Sequence, residues 1–304
     1  MTRLKLALAA LAVLLSTASR VDAQADARDY EALSNLPHHT TAVWAYYRHL
    51  TAQNSRQNYT VDVTLFRATH LLRFGNWAFT PFDAILPVVD QAVYTPAGTV
   101  HQAGFGDPTF LPTLGYTIHE GKPEDLLHTY FAFTGFLTMP LGNYQASNPV
   151  NIGENRWVFK PHVVVGQRFL KAVTFEAGAN VQIFGKNDSF YVGRAKATRE
   201  QKNSINLELH LAVDLHESMF VSTSYFLSKV GEVTATLHAS GRTAALIDDY
   251  MLHTMRFNWG VFLNQYRTTL LMIQLQQDLK GGDLPSARYV GLRFSHFFVP
   301  PAKK

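Results

Sequence analysis

From Ile205 to Leu215 every odd position is aliphatic: Ile205, Leu207, Leu209, Leu211, Val213 and Leu215. The even positions are Asn206, Glu208, His210, Ala212, Asp214 and His216. A period of two sends these two sets to opposite faces of one strand. A helix would instead scatter Glu208 and Asp214 around its apolar side. The stretch from Ser204 to His216 is also long for a strand, whose ordinary length is ~5–6 residues. At ~3.3 Å per residue and a tilt of ~45° it spans roughly 30 Å, the depth of a bilayer core. So tall an aliphatic face, backed by a charged one, predicts a wall between lipid and water. The alternative is a large soluble β-sandwich or lipocalin-like barrel with the aliphatic face turned inward.

Other stretches repeat the pattern. Val173, Phe175, Ala177, Ala179, Val181 and Ile183 alternate with Thr174, Glu176, Gly178, Asn180 and Gln182. Thr269, Leu271, Ile273 and Leu275 alternate with Met272, Gln274 and Gln276, and Trp157, Phe159, Val163 and Val165 with Lys160, His162 and Arg168. In 60–72 the facing is ambiguous, because Arg67 shares a face with Val63 and Leu65. Strands are predicted near 40–50, 60–72, 75–88, 108–119, 127–140, 156–168, 171–185, 203–216, 219–229, 249–263, 266–278 and 287–298, about twelve. A turn at Glu217-Ser218 with an odd offset would put Val221, Tyr225 and Leu227 on the lipid face, leaving Ser222 and Ser224 inside.

The connections sort by length. Long ones (89–107, 141–155, 186–202, 230–248) alternate with short ones (Arg73-Phe74, Phe169-Leu170, Glu217-Ser218, Asn264-Gln265). An up-and-down barrel in an outer membrane has short periplasmic turns and longer outer loops, whereas a sandwich has no reason to sort them so. The predicted fold is therefore all-β: an up-and-down transmembrane barrel of about twelve antiparallel strands. Trp44, Tyr46, Tyr47, Trp77, Phe79, Trp157, Phe159, Tyr225, Phe257 and Trp259 lie near strand ends, where aromatic girdles form.

Composition sharpens this picture. Only 16% of the 304 residues are charged while 12% are aromatic, which fits an apolar outer surface without long apolar runs. Arg3, Lys5, the apolar run Leu6 to Leu15 and Val21-Asp22-Ala23 have the form of a secretory signal peptide at 1–23. That apolar run is about half of the ~20 residues a membrane helix needs. The expected divisions are the cleaved signal at 1–23, a periplasmic N-terminal segment at 24–39 that is either a lead-in or a plug, the barrel at 40–298 and a tail at 299–304. The formal net charge is +4, and about +2 remains without Arg3, Lys5, Arg20 and Asp22. That is too little to imply a nucleic-acid partner. With no cysteine, a thiol nucleophile and a disulfide framework are excluded.

The candidate lumen lining is Lys160, His162, Arg168, Glu176, Asn180, Gln182, Glu208, His210, Asp214, Arg256, Gln274, Gln276 and Arg293. Such mixed charge fits either a selective channel or a salt-bridged filling. The 13 histidines have no H-E-x-x-H-like spacing, so neither metal nor cofactor is expected. Ser222, Ser224, His210 and Asp214 could suggest a lipid hydrolase, but there is no G-x-S-x-G. The loop 148–155 reads either as a constriction folded into the mouth or as a packing motif at the rim.

Four segments, R-D-Y-E-A-L at 28–33, F-G-D-P-T-F at 105–110, M-P-L-G-N-Y at 139–144 and N-P-V-N-I-G-E-N-R-W-V-F-K-P at 148–161, carry a family resemblance. The chain resembles, from about Arg28 to Phe298, the outer-membrane transporter-like family named for the meta-cleavage pathway of phenol degradation. It departs from it at L-S-N-L-P-H-H, where a Pro-Gly-like pair is expected. The resemblance implies a bacterial outer-membrane barrel that passes small, hydrophobic or aromatic compounds. Its partners would be outer-membrane lipid and a small-molecule solute. The alternatives are a closed structural barrel and a barrel enzyme acting on lipids.

Overall fold

The protein, seen in a computed structural model, is described over residues 26–53, 58–95, 98–119, 127–146, 148, 150–280 and 286–301. The predicted signal peptide lies outside these residues. The strands in chain order are β1 (Thr40–Gln53), β2 (Asn58–Phe74), β3 (Trp77–Thr95), β4 (Gly98–Phe105), β5 (Thr109–Phe110), β6 (Thr113–His119), β7 (His128–Thr138), β8 (Val158–Phe169) and β9 (Val173–Phe184). They continue with β10 (Asn187–Val192), β11 (Ala195–Gln201), β12 (Ser204–His216), β13 (Met219–Val230), β14 (Val233–Leu237), β15 (Thr243–Ile247), β16 (Tyr250–Phe262), β17 (Thr269–Lys280) and β18 (Ser286–Phe298). One helix, α1 (Asp29–Asn35), precedes them.

Antiparallel neighbours close a twelve-strand barrel. The sheet runs β2-β1-β18-β17-β16-β13-β12-β9-β8-β7, returns through β5 and β6 to β3, and closes by the β2–β3 pair. The last strand pairs with the first, Ala42 opposite Phe297 and Ala52 opposite Ala287. The fourth barrel strand is broken into β4, β5 and β6 around Gly106-Asp107-Pro108 and Leu111-Pro112. Pro108 and Pro112 have no N–H for a ladder, so the strand is interrupted where they fall.

The outward face is the apolar one. Ile205, Leu207, Leu209, Leu211 and Leu215 are all 40% or more exposed, while Glu208 and His210 are buried. A bulge at Asp214/His216 sets Leu209 opposite Tyr225 and Val213 opposite Val221. This is the odd offset, and it leaves Ser222 and Ser224 buried inside. No helix among the described residues is long and apolar enough to cross a membrane, which bears only on helices.

Three expectations shift in detail. The long connection 89–107 is mostly strand: β3 runs to Thr95 and pairs with β4. Val89 and Val93 continue the inward apolar set there, but the buried Gln91 between them breaks the period. The connections 186–202 and 230–248 are not plain loops. Their strands form a separate sheet, β10-β11-β14-β15, over a small core of Phe190, Ala197, Val233, Ala235 and Leu246. Trp44 and Tyr46 are buried at 8% and 5% and face the lumen rather than a girdle, whereas Tyr47 beside them faces out.

Candidate functional site

The lumen is occupied by the first described residues, from Asp26 to Leu36. Arg28 opens α1 at φ 73°, and Leu36 ends it in extended backbone, as a residue before proline favours. Asp29 and Glu31 in the first turn suit the helix dipole. Seven residues are too few to hold a helix in isolation, so its stability comes from the barrel around it. Tyr30, Glu31 and Ser34 are buried against the wall.

That attachment is mostly ionic. Asp26 Oδ1 accepts hydrogen bonds from Arg256 Nη1 at 2.6 Å and from Gln274 Nε2 at 2.8 Å, and Oδ2 accepts one from Arg293 Nη1 at 2.9 Å. Asp29 lies 2.8 Å from Arg293 and 3.5 Å from Arg67. Arg67 in turn donates to both carboxylate oxygens of Asp83, at 2.8 and 2.6 Å. Nearer the short turns, Arg168 donates to Glu31 and to Asp214, both at 2.6 Å, and Arg28 bridges the same two carboxylates. Tyr30 Oη lies 2.9 Å from His162 Nδ1, and Ser34 Oγ 2.8 Å from His128 Nε2.

Every candidate lining residue projects inward. Lys160, His162, Arg168, Glu176, Asn180, Glu208, His210, Arg256, Gln274 and Arg293 are buried, and Gln182, Asp214 and Gln276 are half-buried. The fold brings several together. Glu208 Oε2 faces His210 Nε2 at 3.5 Å and His162 Nε2 at 3.8 Å, and Asn180 donates to its other oxygen at 3.0 Å. His210 Nδ1 lies 2.8 Å from Ser224 Oγ. Asp214 is held by arginines and orients no histidine, so these residues do not assemble a hydrolytic triad. Among the described residues no group of three or more His, Asp or Glu is arranged to hold a metal ion.

Sequence reasoning missed the residues that answer these side chains: Asp26, Asp29, Glu31 and Tyr30 on the N-terminal segment, and Arg48, Arg67 and Asp83 on β1–β3. The signal was the density of charge in R-D-Y-E, unusual for an idle lead-in.

The opposite inner wall is apolar. Val61, Val63 and Leu65 of β2 and Ile85, Val89 and Val93 of β3 form one buried cluster with Tyr46, Leu111 and Phe136. Val150 and Ile152 of the 139–157 connection join it, so that loop folds inward onto the wall. Asp107 clamps its two ends, its carboxylate accepting from Gly142 N at 2.8 Å and Glu154 N at 2.7 Å. A Cβ on Gly142 would lie 2.6 Å from the Gly106 carbonyl carbon, so the close approach requires glycine. Asn151 adds a tie, its carbonyl accepting from Gln91 Nε2 at 3.2 Å. On the outer side Arg156 donates to Glu154 at 2.6 Å and to Gln201 at 2.6 Å. Burial raises the Glu154 carboxyl, but Arg156 and then Arg199 outweigh it and hold its pKa below the ordinary value.

A closed antiparallel barrel with a lipid-facing exterior and a polar interior defines the class as an outer-membrane β-barrel. Within it, the chain belongs to the family described as "Putative MetA-pathway of phenol degradation", whose model matches residues 41–246. No curated protein matches the chain. Among solved structures it is similar to the COG4313 outer membrane channel from Pseudomonas putida F1, at 22% identity and TM-score 0.78, covering 90% of this chain and 100% of that one. It is also similar to a deletion mutant of the TodX monoaromatic hydrocarbon channel, at 9% identity and TM-score 0.50, covering 88% and 91%. At these identities the likeness is one of fold.

Proposed function

We propose that the protein is a channel for small hydrophobic or aromatic compounds in the outer membrane of a Gram-negative bacterium. It is exported through the Sec route with loss of residues 1–23. The observation that carries this reading is the kind of material filling the barrel. A structural barrel would be closed by a packed core. Here the interior is divided by a short segment held through side-chain ion pairs, with cavities on either side of it. One cavity toward the outer face is lined by polar groups such as Gln182, Asn206, Ser228 and Gln276. The other, toward the periplasmic end, lies between α1 and Phe220, Phe262, Leu270 and Met272. Glu208, His210 and their neighbours are the lining that tunes selectivity between them. Both structural neighbours named above are channels, which supports the same assignment.

The test is single-channel conductance of refolded protein in a planar bilayer, with aromatic solutes as blockers. Wild type should open rarely, and Asp26→Asn with Glu31→Gln should open often, because the segment loses its ionic seat. Glu208→Ala with Asp214→Ala should change ion selectivity. Folded, heat-modifiable protein with no conductance in either form at any voltage would instead mean a closed structural barrel.

A further inference from the structure

At the short-turn ends of β13, β16, β17 and β18, below the ion pairs, the inward face turns apolar. The cavity between this wall and α1 has a volume of ≈160 Å³. Its barrel side is formed by Phe220, Phe262, Leu270, Met272 and Phe297. Phe220, Leu270 and Met272 make one buried cluster, with Phe262 packed against it. Small groups keep the space open. Phe220 faces Gly260 across the β13–β16 ladder, where a Cβ would run into the ring. The ring therefore lies down against the backbone instead of standing into the cavity. On the other side the N-terminal segment presents Ala27, Ala32 and Leu36, the first two with only a methyl group each.

Charged groups also line the cavity, but they are answered by one another. Arg28 pairs with Glu31 and Asp214, and Arg293 with Asp26 and Asp29. Glu31 is bound by Arg168 as well. Arg267 stands at the rim, its side chain 36% exposed and 4.0 Å from Asp214, beside the exposed Asn35. Its guanidinium lies over the Phe262 ring at 4.5 Å, and that of Arg28 over Phe220 at 4.7 Å. A charged guest would have to shed its water and compete with these pairs. A neutral apolar guest would leave them intact and cover the apolar wall. Size narrows the choice further. An apolar protein cavity of about 150 Å³ takes one benzene. Phe220 and Phe262, with centroids 6.2 Å apart and planes tilted by 44°, give a third ring both face and edge contacts, and Met272 adds a thioether. Two fused rings exceed the space.

We propose that this cavity is a binding subsite for one neutral single-ring aromatic hydrocarbon, of the size of benzene or toluene, held between α1 and the wall of Phe220, Phe262 and Met272. This rests on the channel reading above and narrows its solute class, but it is tested by binding rather than by conduction. Folded protein in detergent, labelled with carbon-13 at the methionine methyl groups, would be titrated with toluene and followed by NMR. The Met272 methyl should shift along a saturating curve. Met251, on the lipid side and 41% exposed, should show only the steady drift of toluene dissolving in the micelle. Ala32→Leu fills the cavity from the helix and should weaken toluene binding at least tenfold. Naphthalene and benzoate should give no saturating shift in wild type. Leu270→Ala enlarges the cavity and should admit naphthalene while benzoate stays excluded. That variant leaves the helix untouched, so it tests the cavity even if Ala32→Leu displaces α1. The proposal is overturned by the absence of a saturating toluene shift at Met272, by benzoate binding as tightly as toluene, or by naphthalene binding to wild type. Full toluene affinity in folded Ala32→Leu, or exclusion of naphthalene from folded Leu270→Ala, would overturn it too. A protein that saturates with toluene but never conducts would overturn the channel reading and leave this one standing.

Discussion

The two inner walls of the barrel differ in what they are built to hold. On β8, β9, β12 and β16–β18 the inward face is charged or amide-bearing, and a short segment docks on it through named ion pairs. On the outer part of β2 and β3, beyond the Arg67–Asp83 pair, the inward face is Val61, Val63, Leu65, Ile85 and Val89, and a loop docks on it through Val150 and Ile152. The polar side fixes geometry, since each carboxylate of the docked segment is answered by wall guanidinium groups. It does so at a desolvation cost that offsets much of the Coulomb gain. The apolar side gives adhesion without direction, roughly in proportion to area removed from water. A barrel with only the polar wall would be a salt-bridged filling, and one with only the apolar wall would collapse onto its loop. Side by side, they make an amphipathic lumen.

The largest expected effect tests the polar wall. Asp26→Ala leaves Arg256 and Arg293 without their shared carboxylate, a loss of ~3–5 kcal/mol typical of breaking a buried pair. The segment should release while the barrel stays assembled. Hydrogen exchange at Ala32 to Asn35 should rise toward solvent rates, and heat-modifiability should be retained. Unchanged protection there would mean that the ion pairs do not seat the segment.

Next comes the boundary that both walls share, the lipid face. Leu209→Arg places a guanidinium at mid-strand on the exterior, where ~2–4 kcal/mol is the expected cost. Folding yield into vesicles should fall and the unfolding midpoint in urea should drop. A lumen-side control, Gln276→Arg, should fold normally. Equal behaviour of the two would overturn the inside-outside assignment.

The difference between the walls also explains what the sequence revealed. On β12, β9 and β17 outside and inside are chemically opposite, so alternation alone separates the exposed aliphatic face from the buried one that carries Glu208, His210 and Gln274. On β2 both faces carry apolar residues: Val63 and Leu65 point in while Phe66 and Leu72 flank them. Period two survives there, but it no longer says which face is which. Arg67 beside Val63 and Leu65 looked like an inconsistency because its partners, Asp83 and Asp29, are remote in the chain. The helix at 29–35 was illegible for the same reason. Its stability comes from Arg168, Arg293 and His162, and nothing local in A-R-D-Y-E-A-L announces a helix that short.

On the apolar wall, Ile152→Ala removes a buried side chain from the loop's seat, at a cost of ~2 kcal/mol or more. The loop should become a protease-sensitive site without loss of the barrel. Val150→Ala should act alike. If neither exposes the loop to proteolysis, then Asp107 and the glycines hold it alone, and the apolar wall is free to serve solute.

The smallest effect is a pH dependence at the outer anchor of the same loop. Because Arg156 and Arg199 hold the Glu154 carboxyl below its ordinary value of 4.5, the anion is the form the folded loop prefers. Such a group adds stability above its unfolded pKa and loses it as pH falls through the lower, folded value. Between pH 8 and 5 the loop's protease sensitivity should therefore be flat, and it should rise only below about pH 4.5, as expected for a glutamate. Glu154→Gln should abolish that rise and show modestly higher sensitivity at pH 7. A wild-type rise centred near pH 6 would instead implicate a histidine and place the titrating group in the lumen, on the polar wall, rather than at the rim.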